Sequence, residues 1–240
     1  MRSSSTEVLS IKTKVLAAVA TLTVVAGVSA AAAGAASAAT AECEVVEGGG
    51  CISVFSSELG SYPQPNYVEA VLGGGGANVG QPVGLKAANK FDPSQDILPV
   101  PGTVSYFHGL GLVSDEANTQ YGSRSAVQQK YAPFGVPTVP ELCVGLATVA
   151  YQNQGLTLQS CDAATTVWIV DAYPATPSGY FPIINATTTD FRRPFAMHLP
   201  RNGVASGRPL QMQARRLQFL TGDGTLRPRQ LWGAWTGELP

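Results

Sequence analysis

Residues 142–168, LCVGLATVAYQNQGLTLQSCDAATTVW, read as strand, turn, strand, cysteine, loop and aromatic. Two short apolar, β-prone arms flank a turn rich in Asn, Gln and Gly, the pattern of a β-hairpin. Cys143 and Cys161 stand one on each arm, and Val167-Trp168 follows just beyond. The same order of features returns on either side of this stretch. Residues 67–100 and 195–234 each open on a short alternating strand and turn at Gly or Asn. They continue through GQPVGL and GRPLQM, where the central stretch has QGLTLQ. The closing motifs are QDILPV, TVWIV and QLWGA. One such unit cannot bury its apolar face alone, so three copies predict a fold with threefold internal symmetry. The Gly80, Gly155 and Gly207 markers are unevenly spaced, so the copies carry insertions of different length.

The rest of the chain fits an exported all-β protein. Arg2, Lys12 and Lys14 precede the apolar run VLAAVATLTVVAGV (15–28), and Ala36-Ser37-Ala38 has the small-x-small form of a signal-peptidase site. The expectation is a helical signal peptide over 1–38, a secreted mature chain, and no membrane attachment after cleavage. Residues 39–66 hold CEVVEGGGCISVF, a hairpin signal with Cys43 and Cys51 on its arms, and then a Pro-rich connector. These residues are expected to supply the first strands of a domain that runs over 67–240, with an insertion at 101–141. Within the insertion, strands are expected at 104–107, 110–113 and 126–131, and YAPFGVP (131–137) as a turn. Four cysteines in an exported chain favour disulfides, and of three possible pairings the nearest-neighbour one, 43–51 and 143–161, is expected.

Charge and motif content narrow the function. The stretch 42–171 has twelve acids and four bases, whereas 190–240 has eight arginines and three acids. The arginines are not interleaved with aromatics, so no nucleic-acid partner is expected. No CxxC or HxxxH spacing occurs, so no metal is expected, and no motif calls for a cofactor. GGGGANVG (73–80) lacks the Lys-Ser/Thr of a phosphate loop and reads as a turn. His108 and His198 are the only imidazoles, with no Gly-x-Ser-x-Gly elbow, and paired acids such as Glu69 with Asp96 or Asp115 with Glu116 are the remaining enzyme-like features. No catalytic residue is assigned. Asn185-Ala186-Thr187 is a glycosylation sequon.

The units resemble those of the ricin B-chain type β-trefoil. Leu142-Cys143-Val144 is similar to that family's first strand, Gly155 to Cys161 to its second, and Gln230-Leu231-Trp232 is a full Gln-x-Trp motif. Gln95-Asp96-Ile97 and Thr166-Val167-Trp168 are partial copies. The central stretch also resembles small secreted actinobacterial proteins of unknown function. The trefoil resemblance implies three divergent hairpin repeats, a disulfide between adjacent strands of one third, and a Trp packed where the thirds meet. It also implies a glycan or cell-envelope polysaccharide as ligand, held by a carboxylate, a ring and an amide. The family's carboxylate position aligns with Glu69, Gly145 and His198, and its aromatic with Lys86, Gln159 and Gln213. The first unit keeps most of the set, as Glu69, Asn89, Gln95 and Asp96. An extracellular protein bound through a loop such as 101–125, in the manner of an inhibitor, is the alternative reading, and a secreted hydrolase is the third.

Overall fold

Short runs of β-branched and aromatic residues, broken every few positions by Gly, Pro or Asn, leave room only for short strands. The computed structural model describes residues 50–62, 64–74, 76–170, 179–191, 193–200, 210–214, 226–236 and 239. The expected signal peptide and Cys43 lie outside them. In chain order the strands are β1 (Ser53–Ser56), β2 (Gly60–Ser61), β3 (Gln64–Pro65), β4 (Tyr67–Val71), β5 (Val83–Ala87) and β6 (Ile97–Thr103). Two helices follow, α1 (Val104–Gly109) and α2 (Asp115–Tyr121). Then come β7 (Ser125–Tyr131), β8 (Leu142–Gly145), β9 (Thr157–Ser160), β10 (Val167–Val170), β11 (Ile183–Asn185), β12 (Phe195–His198), β13 (Gln211–Ala214) and β14 (Trp232–Trp235).

The protein is mostly β, with a curled main sheet. Its strand order is β13-β12-β11-β10-β7-β8-β9, with β6 also on β7, and β1 pairs separately with β14. Single bridges join Ile52 to Ile97 and Phe181 to Trp232. Strand contacts therefore run from β14 through β1, β6, β7, β10 and β11 and back to Trp232 of β14.

Three hairpins meet one another, β4/β5, which pairs separately, and β8/β9 and β12/β13, which form the two ends of this sheet. Val83 N–H donates to Leu156 O, Leu156 N–H to Leu210 O, and Leu210 N–H to Val83 O, each at 2.9 Å. This closed exchange makes Val83, Leu156 and Leu210 equivalent positions, and all three are fully buried. The hairpin registers carry the equivalence outward. Leu85, Leu158 and Met212 are paired with Glu69, Val144 and Met197. The closing segments each enter by a 3-10 turn, at Pro93–Gln95, Ala164–Thr166 and Pro228–Gln230, and so align Ile97, Trp168 and Trp232. The indole N–H of Trp168 donates to Val144 O at 2.8 Å and that of Trp232 to Met197 O at 3.0 Å. Buried indoles need such partners. Ile97 offers no such donor.

Gln81 and Gln154 repeat a further detail. Each Oε1 accepts the N–H three residues earlier, at Asn78 and Tyr151, and each Nε2 donates to carbonyls at the start of its hairpin loop, Leu72 and Thr148. Each loop is thus cross-braced by a glutamine that satisfies backbone groups no strand can reach.

The insertion differs from the sequence expectation. The strand expected at 126–131 is present as β7, but 104–107 belongs to α1 and 110–113 contains no strand. Local caps decide this. The Thr103 hydroxyl accepts Tyr106 N–H and the Ser114 hydroxyl accepts Ala117 N–H, which nucleates two short helices. Val104 with Phe107, and Ala117 with Tyr121, then face one side at i,i+3 and i,i+4. They cover the outer face of β7, β10, β11 and β12 through Ala126, Ile169, Ile184 and Ala196. The inner face carries the main core, with Trp168, Trp232, Ile97 and the hairpin residues. A strand such as β10 is consequently apolar on both faces, as a doubly covered strand must be.

Candidate functional site

Glu69, expected beside Gly145 and His198 as a surface carboxylate, stands one position out of register with them. Register pairs Ala70 with Gly84, Gly145 with Thr157 and His198 with Gln211, and the equivalence above aligns Ala70, Gly145 and His198. Glu69 instead shares its place with Val144 and Met197. It points into the interior, 1% exposed. Side chains along a strand alternate with a period of two, so a slip of one position reverses the face. At Gly145 an added Cβ would lie 2.9 Å from Thr166 Cγ2 and 3.0 Å from Thr165 O, so no side chain fits there.

The interior holds Glu69 with both carboxylate oxygens unpartnered. Burial pushes its carboxyl up to about 8, so at neutral pH it carries its proton. It is not placed to accept bonds from a surface ligand.

Lys86 donates to Asp92 Oδ2 at 3.0 Å and to Ser94 Oγ at 2.8 Å. The Asp92 side chain caps the 3-10 turn by accepting Ser94 N–H at 3.0 Å. Burial works to raise the Asp92 carboxyl, but the Ser94 hydroxyl and the Lys86 ammonium outweigh it and hold it below the usual range. The turn is thereby closed on itself. Gln95 is a brace within it. Its Nε2 donates to Ala87 O at 2.7 Å and its Oε1 accepts Asn89 N–H at 3.0 Å. Asn89 Oδ1 accepts Phe91 N–H at 3.0 Å, an Asx turn. The Gln95 amide is thus engaged at both ends, and the Asn89 oxygen at its own.

Asp96 is the sequence-selected residue that stays available. It is half-buried, and its Oδ2 accepts the N–H of Phe134 at 2.8 Å. Burial raises its carboxyl to about 6, opposed by the Phe134 N–H and reinforced by the charge of Asp92. Tyr131 lies close enough that its phenol is raised, first by burial and then by Asp96 and Asp92. Phe134 has φ 60° and ψ 30°, a left-handed conformation unusual for a bulky residue, and the residue is 45% exposed. Phe91, in the same turn as Asn89 and Asp92, is 58% exposed, with the Lys90 ammonium 5.2 Å from its ring centre. The structure thus brings Asp96, Asn89 and Gln95 into one turn, adds Phe134 and Tyr131 from the far end of β7, and leaves Glu69 out. In the sequence YAPFGVP reads only as a turn, and the φ of Phe134 is not visible in it.

The other candidates fall elsewhere. His108 Nε2 and Asp115 Oδ1 are 2.7 Å apart and join α1 to α2, with Asp115 almost fully exposed. Ser105 Oγ is bonded to Asn118 Oδ1 at 2.7 Å. His198 Nδ1 bonds to Leu199 O. Asn185 of the sequon is fully buried; its Nδ2 donates to Thr165 O at 2.9 Å and its Oδ1 accepts from Thr187. The folded chain therefore gives a glycosylating enzyme no access to it. Among the described residues no cluster of His, Cys, Asp and Glu is arranged for a metal, and no helix is long and apolar enough to cross a membrane. Cys143 and Cys161 form a disulfide between β8 and the end of β9. Cys51 is disulfide-bonded too.

The chain matches no protein-family model and no curated protein. The ricin-type resemblance accordingly rests on the residues quoted for it.

Proposed function

We propose that this is a secreted, non-catalytic binding protein built as a β-trefoil of ricin B type, and that it holds a glycan at the corner formed by Asp96 and Phe134. The closed hydrogen-bond exchange among Val83, Leu156 and Leu210 supports the trefoil reading, since three hairpins around one axis require it. The ligand reading rests on one observation. A half-buried carboxylate with spare acceptor capacity is held by the N–H of an exposed aromatic residue kept in a strained conformation. Strain of this kind costs of the order of 1–3 kcal/mol and marks sites where geometry matters. A carboxylate takes hydrogen bonds from sugar hydroxyls, and an aromatic face covers the apolar C–H face of a pyranose. The position differs from the ricin-type one, which the packing at Ala70 and Gly145 leaves without an acid.

The test is a glycan array probed with the secreted protein, followed by titration of any hit against Asp96→Asn and Phe134→Gly. Asp96→Asn keeps an acceptor for the Phe134 N–H and removes the charge and the second acceptor oxygen. A drop of tenfold or more in both variants, with thermal unfolding no earlier than in the unaltered protein, supports the reading. Glycan binding that survives both sinks the assigned site.

A second reading has its own observation. Tyr106 and Leu110, on and just after α1, are 52% and 55% exposed, an apolar edge suited to an extracellular protein. Capture of a defined protein that Leu110→Asp and Tyr106→Asp abolish, with no glycan bound, would favour it.

A further inference from the structure

We propose that the sugar-binding surface continues from Asp96 across two strands to Trp235, so that the protein takes an oligosaccharide chain in place of a single sugar. The inference rests on the glycan reading above and adds a second contact to it. The register of three strands carries it. The bridge Ile52–Ile97 is antiparallel, so the next position along sets Ser53 opposite Asp96, and β1 pairs Ser53 with Trp235. Asp96, Ser53 and Trp235 thus stand in one row across the start of β6, β1 and β14, two strand spacings or about 10 Å from end to end. On the other side of Asp96 lies the segment after β7, where Ala132 N–H donates to Asp96 O and Phe134 N–H to Asp96 Oδ2. The acid therefore has a ring-bearing residue on each side of it.

The row lies on the outer face. Ile97, Val54 and Trp232 belong to the main core, so alternation along each strand turns Asp96, Ser53 and Trp235 outward. In the other two units the place of Asp96, one residue after the closing 3-10 turn, is held by Val167 and Leu231. Val167 packs in the outer cluster with residues of α1 and α2, and Leu231 is 2% exposed. The first unit departs from both by putting a half-buried acid at this place.

Trp235 comes with a fixed aromatic surround. Its ring centre is 6.2 Å from that of Tyr62, which lies 5.5 Å from Tyr180 and 5.0 Å from the buried Phe55. The Tyr62 phenol is pinned, since its oxygen donates to Gly179 O at 2.8 Å and accepts Ala234 N–H at 3.2 Å. At Gly233 an added Cβ would stand 2.8 Å from that phenol oxygen, so glycine is what lets Tyr62 lie against β14. Tyr62 is 37% exposed, and Trp235 and Tyr180 are half-buried. Rings already held in place lose little freedom on binding. A row two strands wide exceeds the width of one pyranose and suits two or more linked ones, with the acid taking hydroxyls and the rings covering C–H faces.

The test uses monomer-to-hexamer series of glucose, mannose, galactose and N-acetylglucosamine, titrated into the secreted protein. In a series that binds, affinity should rise about tenfold from monomer to hexamer, and Trp235→Ala should bring the hexamer down to the monomer's level. The unaltered protein gives a second readout if that variant fails to fold. The chain has three tryptophans, and Trp168 and Trp232 are fully buried, so acrylamide quenching reports Trp235. A bound hexamer should protect that fluorescence and a bound monomer should not. Affinity that does not change with length, or quenching unaltered by a bound hexamer, overturns the extended surface; if Asp96→Asn still weakens such binding, the corner at Asp96 stands alone. No binding by any member of the four series overturns the inference together with the reading it rests on.

Discussion

Gln128 Nε2 donates to Thr166 Oγ1 at 2.7 Å and to Cys161 O at 2.7 Å, joining β7 to the turn that precedes β10. In the other two units the residue at the place of Thr166 is itself a glutamine, Gln95 or Gln230. Gln95 reaches back to Ala87 O at the end of its hairpin. Threonine is too short for that reach, and a neighbouring strand supplies the amide in its stead. The Thr166 hydroxyl in turn donates to Ala163 O at 2.7 Å.

Removing that amide should expose the dependence. Gln128→Leu takes the amide donor from the Thr166 hydroxyl and from the buried Cys161 carbonyl, which keeps only the longer 3.3 Å approach of the Thr166 hydroxyl, at a cost of about 1–3 kcal/mol. Urea denaturation should show a lower midpoint with an unchanged slope.

Trp168→Phe removes the donor to Val144 O and part of a fully buried side chain. Lost packing and an orphaned carbonyl together should cost about 2–5 kcal/mol. Ile97→Val, in the equivalent place, loses only one methylene and should cost about 0.5–1.5 kcal/mol. Equal losses for the two variants would mean that the closing positions do not differ in the way the indole hydrogen bonds imply.

The difference between Trp168 and Ile97 also shows what was legible in the sequence. Trp168, Trp232 and the Gln-x-Trp motif announced the repeat, and the Cys143–Cys161 pair announced the hairpin it staples. The threefold exchange through Val83, Leu156 and Leu210 was marked only by the GQPVGL-like segments, whose register a sequence does not state. Glu69 was misread because a shift of one residue along β4 turns a surface acid into an interior one. The helices were missed because VSYFH alternates like a strand, while the signals that decide are single hydroxyls at Thr103 and Ser114. At the candidate site, Asp96 was visible as the middle residue of a degenerate Gln-x-Trp motif. Phe134 was not, because it reaches Asp96 from 38 positions away and its importance lies in a backbone angle.

Stability should depend on pH through the two raised carboxyls. Glu69 in the folded chain holds its proton up to about 8 against an ordinary 4.5, and Asp96 up to about 6 against 3.8. In both cases the folded state binds a proton that the unfolded chain releases. Their contribution is full below the unfolded values and is lost as pH rises through the folded ones. The urea midpoint should therefore fall between about pH 4 and 8, by an amount worth a few kcal/mol. Glu69→Gln should flatten the part between pH 6 and 8 and leave the Asp96 part below 6. A midpoint that rises across that upper interval in the unaltered protein would contradict a buried, protonated Glu69.

The disulfide between Cys143 and Cys161 closes a loop with a sequence separation of 18. Loop-closure entropy for that length gives about 3 kcal/mol of stabilisation. Replacing both cysteines by alanine should lower the thermal midpoint by several degrees and leave the β8/β9 register in place, since Leu142, Val144 and Leu158 remain buried there. Amide exchange of the β9 residues should accelerate more than that of the β4/β5 hairpin, which has no such crosslink between its strands.

Phe134 separates stability from binding. Its left-handed backbone is unfavourable for a residue with a Cβ, and glycine removes that penalty while adding freedom to the unfolded chain. Phe134→Gly should therefore leave stability unchanged or raise it by about 0.5–1 kcal/mol, because the N–H that Asp96 accepts is a backbone group and is retained. Phe134→Ala keeps the strain and loses the ring, so it should be the less stable of the two. Both should lose ligand equally if the exposed ring is what the ligand touches. Thermal unfolding ranks the stabilities and titration ranks the affinities. A glycine variant that binds as well as the original, or that unfolds earlier than the alanine one, would show that the strain at 134 serves neither the ring nor the carboxylate beneath it.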